Sequence, residues 1–219
     1  AAHQLRTPAT AINWTFENLE KEDGLPDAAR EAVATGHAAA KNLLDVITHL
    51  LDAAQIEDGR FGYSFTPTNL VAFLDEMLGK AMPIAKLYGM NIYFDRPKEQ
   101  VTISADPSKL GMAIANLVDN GIKYNAEGGN VTVTLAALGA NAEIRIADTG
   151  EGIAPEDIPK LFQKFYRGEG TMKKVTQGTG LGLYLAKNVI EGHKGSIRVE
   201  STLGRGTTFF ITLPLILTP

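Results

Sequence analysis

The chain consists of two segments of different composition that meet near residue 58, and this contrast constrains its fold most. Residues 1–58 contain 13 alanines and two glycines, whereas eleven of the 22 glycines fall between residues 150 and 206. Alanine favours helices, while glycine permits tight turns and close backbone approach. Residues 1–58 also carry four Lys and Arg against ten Asp and Glu (net -6), and the remainder carries 17 against 15 (net +2). We therefore predict a helical domain over residues 1–58, a linker or first strand over 59–66 and a second domain over 67–219.

Composition excludes several classes of protein. The 219 residues include no cysteine, which excludes disulfides, thiolate nucleophiles and cysteine-ligated metal sites. No stretch approaches the ~18 consecutive apolar residues of a membrane span. The net charge of -4 and the pI near 5.6 disfavour nucleic acid as a partner. These features predict a cytoplasmic protein segment that makes no direct contact with a membrane and binds no nucleic acid.

The first segment has the pattern of two amphipathic helices joined by a turn. Apolar residues recur at helical intervals, namely Leu5, Ile12, Phe16 and Leu19 in the first helix and Val33, Ala40, Leu43, Ile47, Leu50, Leu51 and Ala54 in the second. Residues 22–27 form the predicted turn, with Asp27 as the cap of the second helix. Because two helices alone bury little apolar surface, we expect a homodimer that forms a four-helix bundle. The alternative is that the hairpin packs on the second domain.

The second segment mixes strands and helices. Alternating or β-branched runs predict strands at residues 63–65, 92–94, 101–103, 131–135, 143–146, 196–200 and 207–213, and helical periodicity predicts helices at 69–87, 108–124 and 181–191. The last two strands are expected to form a hairpin around residues 204–206. This mixture predicts an α+β fold, an α/β sandwich in which one sheet carries helices on one face.

Polar side chains recur on one side of the predicted helix at residues 108–124. Asn116 and Asn120 are four residues apart, and Lys123 and Tyr124 follow one turn later, so the four share a side. Amide oxygens suit Mg²⁺, and a lysine suits phosphate oxygens. The pattern therefore predicts a site for Mg²⁺ and phosphate. Its alternative is a solvated polar face.

A carboxylate followed by glycines ends one of the predicted strands. Residues 148–152 read Asp-Thr-Gly-Glu-Gly, and the carboxylate of Asp148 is placed to accept a hydrogen bond from the exocyclic amine of a base such as adenine. Gly150 and Gly152 let the backbone approach a flat ring, because glycine has no Cβ. The alternative is an ordinary Asp-x-Gly turn.

A glycine-rich segment opens the predicted helix at residues 181–191. It reads Gly178-Thr179-Gly180-Leu181-Gly182, and such a backbone followed by a helix N-terminus presents N–H groups to phosphate. It is not a P-loop, because no Gly-Lys-Ser/Thr follows. The alternative is a flexible hinge. The polar residues 169–177 just before it are predicted to form a lid over a bound nucleotide, with Arg167 reaching its phosphates.

In their order and approximate spacing, these motifs resemble the ATP-binding domain of sensor histidine kinases. Its Bergerat (GHKL) fold is shared with gyrase, MutL and the heat-shock chaperone ATPases. The elements that carry the resemblance are Asn116…Asn120, Asp148-x-Gly-x-Gly, Phe162…Phe165 and Gly178-x-Gly-x-Gly. The family begins with a helical hairpin that contains His-Glu-Leu-Arg-Thr-Pro, and residues 3–8 here read His-Gln-Leu-Arg-Thr-Pro. The resemblance covers essentially the whole chain.

The resemblance implies an enzyme that uses ATP and Mg²⁺ to phosphorylate a histidine of its own and passes the phosphoryl group to an aspartate of a response-regulator receiver domain. It implies a homodimer and, in the full-length protein, that the input domain and any membrane anchor lie upstream. The implied catalytic residues are His3, Gln4, Arg6 and Thr7, and Thr7 also suggests phosphatase activity toward the regulator. Asn120 is the implied metal ligand. The implied nucleotide-binding residues are Asn116, Asn120, Lys123, Tyr124, Asp148, Gly150, Gly152, Tyr166, Arg167, Gly178, Thr179, Gly180, Leu181 and Gly182.

Two positions depart from related patterns. Hydrolytic relatives place a glutamate four residues before the asparagine that binds Mg²⁺, where this chain has Asn116, and an amide cannot take a proton from water. ATP hydrolysis should therefore be poor. Gln4 stands where the kinase family has an acidic residue. A glutamine oxygen can hold the N–H of the neighbouring imidazole but cannot remove the proton, so we expect autophosphorylation at a reduced rate.

The histidines and Pro8 leave local alternatives. Pro8 inside a helix would bend it beside His3, whereas Thr7 as a helix cap would leave His3 in coil. His37 and His49 are expected at the surface or core edge, and His193 as an ordinary helix-terminal group. The functional alternatives are a Bergerat-fold ATPase or protein serine kinase without phosphohistidine, and a dimeric scaffold that binds nucleotide without transfer.

Overall fold

A computed structural model describes the backbone of residues 2–168 and 178–216, and the side chains of residues 6–168 and 178–216. The chain divides into two compact units, Ala1–Phe61 and Gly62–Pro219. Within the described residues, no helix combines the length and the apolar character that crossing a bilayer requires.

The first unit is a helical hairpin made of α1 (Ala2–Glu20) and α2 (Asp27–Glu57). Phe16 packs against Gly36, where a Cβ would come within 2.3 Å of the aromatic ring, so glycine at this position lets the two helices approach closely. Pro8 lies inside α1. The alternative with Thr7 as the cap is therefore wrong, and the backbone of His3 belongs to the first turn of α1.

The capping prediction for the second helix is also wrong. Asp27 is the first residue of α2, and Pro26 stands at the cap position without a side-chain hydrogen bond. Proline suits the end of the turn because its fixed φ is compatible with entry into a helix. The negative charge of Asp27 in the first turn interacts favourably with the positive end of the helix dipole.

Four large apolar side chains of the hairpin unit are exposed. They are Ile12, Trp14, Leu43 and Leu50, with 41–64% of their surface exposed. Exposed apolar side chains on one face of an amphipathic helix indicate that this face packs against another surface. His37 lies at the core edge, where its Nδ1 is 2.8 Å from a carboxylate oxygen of Glu20.

The second unit contains seven strands, three long helices and one 3₁₀ turn among its described residues. In chain order these are β1 (Thr66–Asn69), α3 (Leu70–Leu87), β2 (Asn91–Asp95), β3 (Thr102–Ala105), α4 (Pro107–Lys123), β4 (Asn130–Leu138), β5 (Asn141–Asp148), the 3₁₀ turn Ile158–Lys160, α5 (Gly182–Gly192), β6 (Ser196–Ser201) and β7 (Thr207–Pro214).

Five of the strands form one mixed sheet in the order β2-β4-β5-β7-β6. Strands β2 and β4 are parallel, and the other neighbours are antiparallel, including the β6–β7 hairpin that the sequence predicts. The prediction of a single sheet is wrong, because β1 and β3 pair with each other as a second, two-stranded sheet. Alternation along a strand identifies which side chains face the core, but it does not identify the pairing partner.

The core lies between the five-stranded sheet and helices α3, α4 and α5. Every second residue of β4 and β5 is buried, and the helices contribute fully buried leucines and isoleucines. The opposite face of the sheet is half-exposed, and there Arg145 and Arg198 both lie over the ring of Phe210. The predicted α+β sandwich is confirmed.

Side-chain caps set the first residues of two helices in this unit. Asn69 Oδ1 accepts hydrogen bonds from the backbone N–H groups of Val71 and Ala72 at the start of α3. Asp106 Oδ1 accepts from the N–H of Lys109 at the start of α4. Both are the residue types that satisfy otherwise unpaired N–H groups at a helix N-terminus.

Residues 63–65 and His193 meet in the structure. The prediction of a strand at 63–65 is wrong, whereas His193 is the C-cap of α5 and so a helix-terminal group as predicted, although it is also buried. Residues 63–65 form no strand; the rings of Tyr63 and Phe65 lie edge-on to the His193 ring at 5.4 and 5.2 Å between centroids. His193 is 3% exposed. Its Nε2 accepts the N–H of Asp106 at 3.0 Å, and its Nδ1 lies 2.8 Å from a carbonyl oxygen of α5. His193 therefore links the start of α4 to the end of α5.

Candidate functional site

Helix α4 presents the first group of predicted residues on its half-exposed side. Its other side is fully buried against the sheet, which leaves Asn116, Asn120 and Lys123 directed away from the core. Tyr124 follows as the C-cap, with its N–H donating to the carbonyl of Asn120. Lys123 Nζ lies 3.9 Å from a carboxylate oxygen of Asp119, a loose surface pairing that leaves the lysine near solvent.

Asn116 joins α4 to the glycine-rich segment. Its Nδ2 donates to the carbonyl of Met112, one turn earlier in the same helix. Its Oδ1 lies so close to Gly182 that a Cβ at position 182 would come within 2.8 Å of it. Gly182, the first residue of α5, therefore allows α5 to begin directly against α4.

Asp148 ends β5 and lies beside Gly121 of α4. Its Oδ1 accepts the backbone N–H groups of Gly150 at 2.8 Å and Thr207 at 3.1 Å. Burial raises the pKa of the Asp148 carboxyl, and the two backbone hydrogen bonds act in the opposite direction. Among the described residues, Oδ2 has no hydrogen-bond partner, so one oxygen stays available to a donor from a ligand.

Two close backbone approaches fix the loop that follows Asp148. A Cβ at Gly150 would lie 2.4 Å from the carbonyl oxygen of Tyr124, and a Cβ at Gly152 would lie 2.1 Å from that of Thr202. Gly152 also has φ +69°, in the left-handed region. Both glycines are therefore required by the packing of this loop against its neighbours.

The glycine-rich segment lies against Phe165 and Arg167, which come just before the predicted lid. A Cβ at Gly180 (φ +67°) would come within 2.6 Å of the backbone of Phe165, and Gly178 lies beside the guanidinium of Arg167. Thr179 Oγ1 accepts the N–H of Leu181, which is completely buried. This is a local turn that leads the chain into α5.

The structure thus brings three of the predicted motifs together. Contacts of Gly121 with Asp148, of Gly150 with Tyr124 and of Gly182 with Asn116 join α4, the 148–152 loop and the 178–182 segment within one unit. Tyr166 follows Phe165, whose backbone lies against Gly180, and donates its hydroxyl to Asp157 at 2.6 Å. The predicted lid at residues 169–177 lies outside the described residues.

The predicted catalytic residues lie in the hairpin unit. The backbones of His3 and Gln4 are helical, and their side chains lie outside the described ones. Arg6 and Thr7 are on the exposed surface of α1, where they border a shallow depression together with Trp14.

The metal prediction depends on a single side chain. In residues 2–168 and 178–216, no three His, Asp or Glu side chains lie together as a metal cluster. Asn120, half-exposed on α4, offers an amide oxygen, which suits Mg²⁺ when phosphate oxygens and water supply the other ligands. The donor set therefore fits a metal that arrives with a nucleotide.

Sequence reasoning missed Thr207 and Asn125. Thr207 supports Asp148 through its backbone, which no side-chain pattern reveals. Asn125 comes directly after Tyr124, the last of the polar residues predicted on α4. It forms hydrogen bonds to the 148–152 loop and to the start of β4. Its position directly after Tyr124, among turn-forming residues, was the only available signal.

Both units of the chain match models of known protein families. Residues 105–217 match the family model described as histidine kinase-, DNA gyrase B- and HSP90-like ATPase, and residues 1–59 match the His kinase A (phospho-acceptor) domain. Sensor protein SrrB of Staphylococcus aureus is 34% identical over 216 residues, which is 97% of this chain and 36% of that protein. The chain therefore spans about a third of the length of this curated relative.

Solved structures have the same fold. Full-length ShkA in complex with AMPPNP superposes with a TM-score of 0.81 at 25% identity, covering 99% of this chain and 45% of that chain. The mycobacterial sensor histidine kinase MprB superposes with a TM-score of 0.61 at 28% identity, covering 69% of this chain and 98% of that chain. The resemblance that the motifs indicate is confirmed.

Proposed function

Because the chain belongs to the family of histidine kinase-, DNA gyrase B- and HSP90-like ATPases, we propose that it is the catalytic core of a sensor histidine kinase. In this proposal residues 67–219 bind ATP and residues 1–58 carry the phosphoacceptor His3, with 59–66 as the connection. The observation that carries the proposal is the convergence of Asp148, the polar side of α4 and the 178–182 segment in one unit.

The base and phosphates of ATP would contact different parts of this site. Asp148 Oδ2 is placed to accept the exocyclic amine of adenine, because Oδ1 is already held by two backbone N–H groups. Lys123 supplies positive charge, and the backbone of residues 178–182 at the start of α5 supplies N–H donors to phosphate oxygens. Arg167, beside Gly178, adds a second cation.

Asn120 would hold Mg²⁺ on the phosphates. When bound, the ion neutralises charge that develops on the transferring phosphoryl group. Asn116 supports transfer over hydrolysis, because its amide cannot act as a base toward water and its Nδ2 is already bonded within α4.

Phosphoryl transfer to His3 requires that the imidazole ring be neutral. A ring nitrogen attacks the γ-phosphorus with its lone pair, the bond from that phosphorus to the bridging oxygen breaks, and ADP leaves with the electron pair. A histidine of ordinary pKa ≈ 6.5 is mostly neutral near pH 7. The other ring nitrogen then loses its proton to solvent, because Gln4 can hold this N–H but cannot accept the proton.

Two further parts of the proposal concern assembly. The exposed apolar side chains of the hairpin unit support a homodimer in which two hairpins form a four-helix bundle. The phosphoryl group would pass from His3 to an aspartate of a response-regulator receiver domain. By the same resemblance, we place this part of the protein in the cytoplasm.

The deciding experiment is incubation with γ-labelled ATP and Mg²⁺ followed by a test of label stability. We expect acid-labile, base-stable label that is absent from His3→Ala. The matched control is His37→Ala, which changes another histidine of the same hairpin and should keep the label. Steady phosphate release without label would instead indicate an ATPase, and neither label nor release would indicate a scaffold; both results contradict the proposal.

Gln4→Glu should increase the rate of autophosphorylation about 10-fold or more, because general-base catalysis typically contributes ~10²–10⁴-fold. The rate is measured by initial incorporation of label at saturating ATP. Gln100→Glu adds the same charge at an exposed loop position and should leave the rate unchanged. A Gln4→Glu rate at or below wild type would show that position 4 does not limit transfer.

A further inference from the structure

Asn125 is the centre of a hydrogen-bond network at the end of α4. Its Oδ1 accepts the hydroxyl of Thr149 at 3.2 Å and the N–H of Ala126 at 3.0 Å. Its Nδ2 donates to the carbonyls of Gly121 at 3.1 Å and Asn130 at 3.0 Å. An amide side chain offers two donor hydrogens and two acceptor lone pairs, so the capacity of Asn125 is fully used.

Thr149 completes the network from the other side. Its Oγ1 donates to Asn125 and accepts the N–H of Asn130 at 2.9 Å, while its own N–H donates to the carbonyl of Asn130 at 3.1 Å. The backbone reinforces this link, since the N–H of Glu151 donates to the carbonyl of Tyr124 at 3.1 Å. Gly129 is also part of the fit, because a Cβ there would lie 2.3 Å from Asn125 Oδ1.

The network joins the two halves of the nucleotide site. On one side Asn125 follows Tyr124, the C-cap of α4, whose polar residues would face the phosphates in the proposed site. On the other side Thr149 directly follows Asp148, which faces the base. Because Asn125 has no hydrogen-bonding group left for a ligand, its contribution must come from holding these two parts at a set separation.

We infer that Asn125 and Thr149 are positioning residues that couple base recognition by Asp148 to phosphate binding by α4. This inference rests on the proposed ATP site. It requires that losing the network weakens a ligand that contacts both halves more than a ligand that contacts only the base. ATP and adenosine are such a pair of ligands.

Thr149 provides the cleanest test because it is exposed and its hydroxyl can be removed with little change in shape. We expect Thr149→Val to raise the Kd for ATP about 10-fold, while the Kd for adenosine, followed by NMR titration at millimolar concentrations, changes less than about 3-fold; 10-fold corresponds to ~1.4 kcal/mol. Thr149→Ser keeps the hydroxyl and should bind both ligands like wild type.

Asn125→Ala extends the test. It should weaken ATP binding by about 10- to 30-fold, and the double variant Asn125→Ala/Thr149→Val should be no weaker than the worse single variant, because residues of one network are not additive. Equal losses for ATP and adenosine would overturn the inference, as would equal behaviour of Thr149→Val and Thr149→Ser, or additive single effects. Failure of the wild type to bind ATP would instead refute the proposed function.

Discussion

Replacing Gly206 with alanine is expected to destabilise the ATP-binding unit by about 3 kcal/mol or more and to abolish detectable ATP binding. Gly206 has φ +91°, and a Cβ on it would lie 2.0 Å from the carbonyl oxygen of Asp148. That oxygen is backbone at the end of β5 and cannot rotate away, so the strand itself must shift. The shift would displace the Asp148 carboxylate, which also loses the N–H of Thr207.

Gly204 is a matched control in the same turn. It has φ +79°, and nothing lies within 4 Å of its would-be Cβ. Gly204→Ala should therefore cost only the left-handed conformation itself, about 1–2 kcal/mol, and should retain ATP binding. Urea denaturation and calorimetric ATP titration of both variants measure the difference. Equal destabilisation by the two substitutions would contradict the assignment of Gly206 as a packed position.

The second large effect is expected from Asp148→Asn, which should weaken ATP binding by about 100-fold or more, ~3 kcal/mol, because a donor would then face the donor amine of adenine. The amide oxygen would keep the hydrogen bonds from Gly150 and Thr207, which directs Nδ2 toward the ligand. Stability should nevertheless stay equal or rise at pH 7, because the substitution removes a desolvated charge.

The pH dependence gives Asp148→Asn a second readout. Because burial raises the pKa of Asp148 in the folded state above the ordinary value of 3.8, the folded state holds the proton more tightly than the unfolded state. The penalty of the buried charge is fully present above the folded pKa and diminishes as pH falls toward 3.8. The stability advantage of Asp148→Asn should therefore shrink over that window.

Unfolding free energies of wild type and Asp148→Asn, measured from pH 7 down to pH 4, test this expectation. Asp95→Asn changes an exposed carboxylate at the edge strand β2 and should leave ATP affinity unchanged. Retained ATP affinity in Asp148→Asn would remove Asp148 from the site. An advantage that grows toward low pH would contradict the raised pKa.

The sequence was sufficient for the three long helices of the second unit and for the motifs that meet at the candidate site. The periodicity that predicts helices at 69–87, 108–124 and 181–191 agrees with α3, α4 and α5 to within one residue at each end. The spacing of Asn116 to Tyr124 places these residues on one side of α4 because a helix repeats every 3.6 residues, whatever surrounds it. Which side of a helix such a short motif occupies depends only on the spacing of its residues, so the sequence is enough to predict it.

Pairing and burial required the tertiary structure. β3 pairs with β1 instead of joining the larger sheet, and the strand pattern at 101–103 does not indicate this. His193 reads as an ordinary residue at a helix end, yet it is buried between α5 and Asp106. Residues 63–65 have the alternation of a strand because their two aromatic rings pack on that histidine.

The sequence by itself determined the helix and strand periods and the motifs that carry the family resemblance, because these depend on residues within a few positions of each other. Only the tertiary structure decided which of two neighbouring glycines, Gly204 or Gly206, packs against Asp148, and that Asn125 bonds to Thr149. Asn125 and Thr149 are 24 positions apart in the chain, and Asp148 and Gly206 are 58 positions apart. They come into contact because of how the sheet and helices pack, which no local pattern reveals.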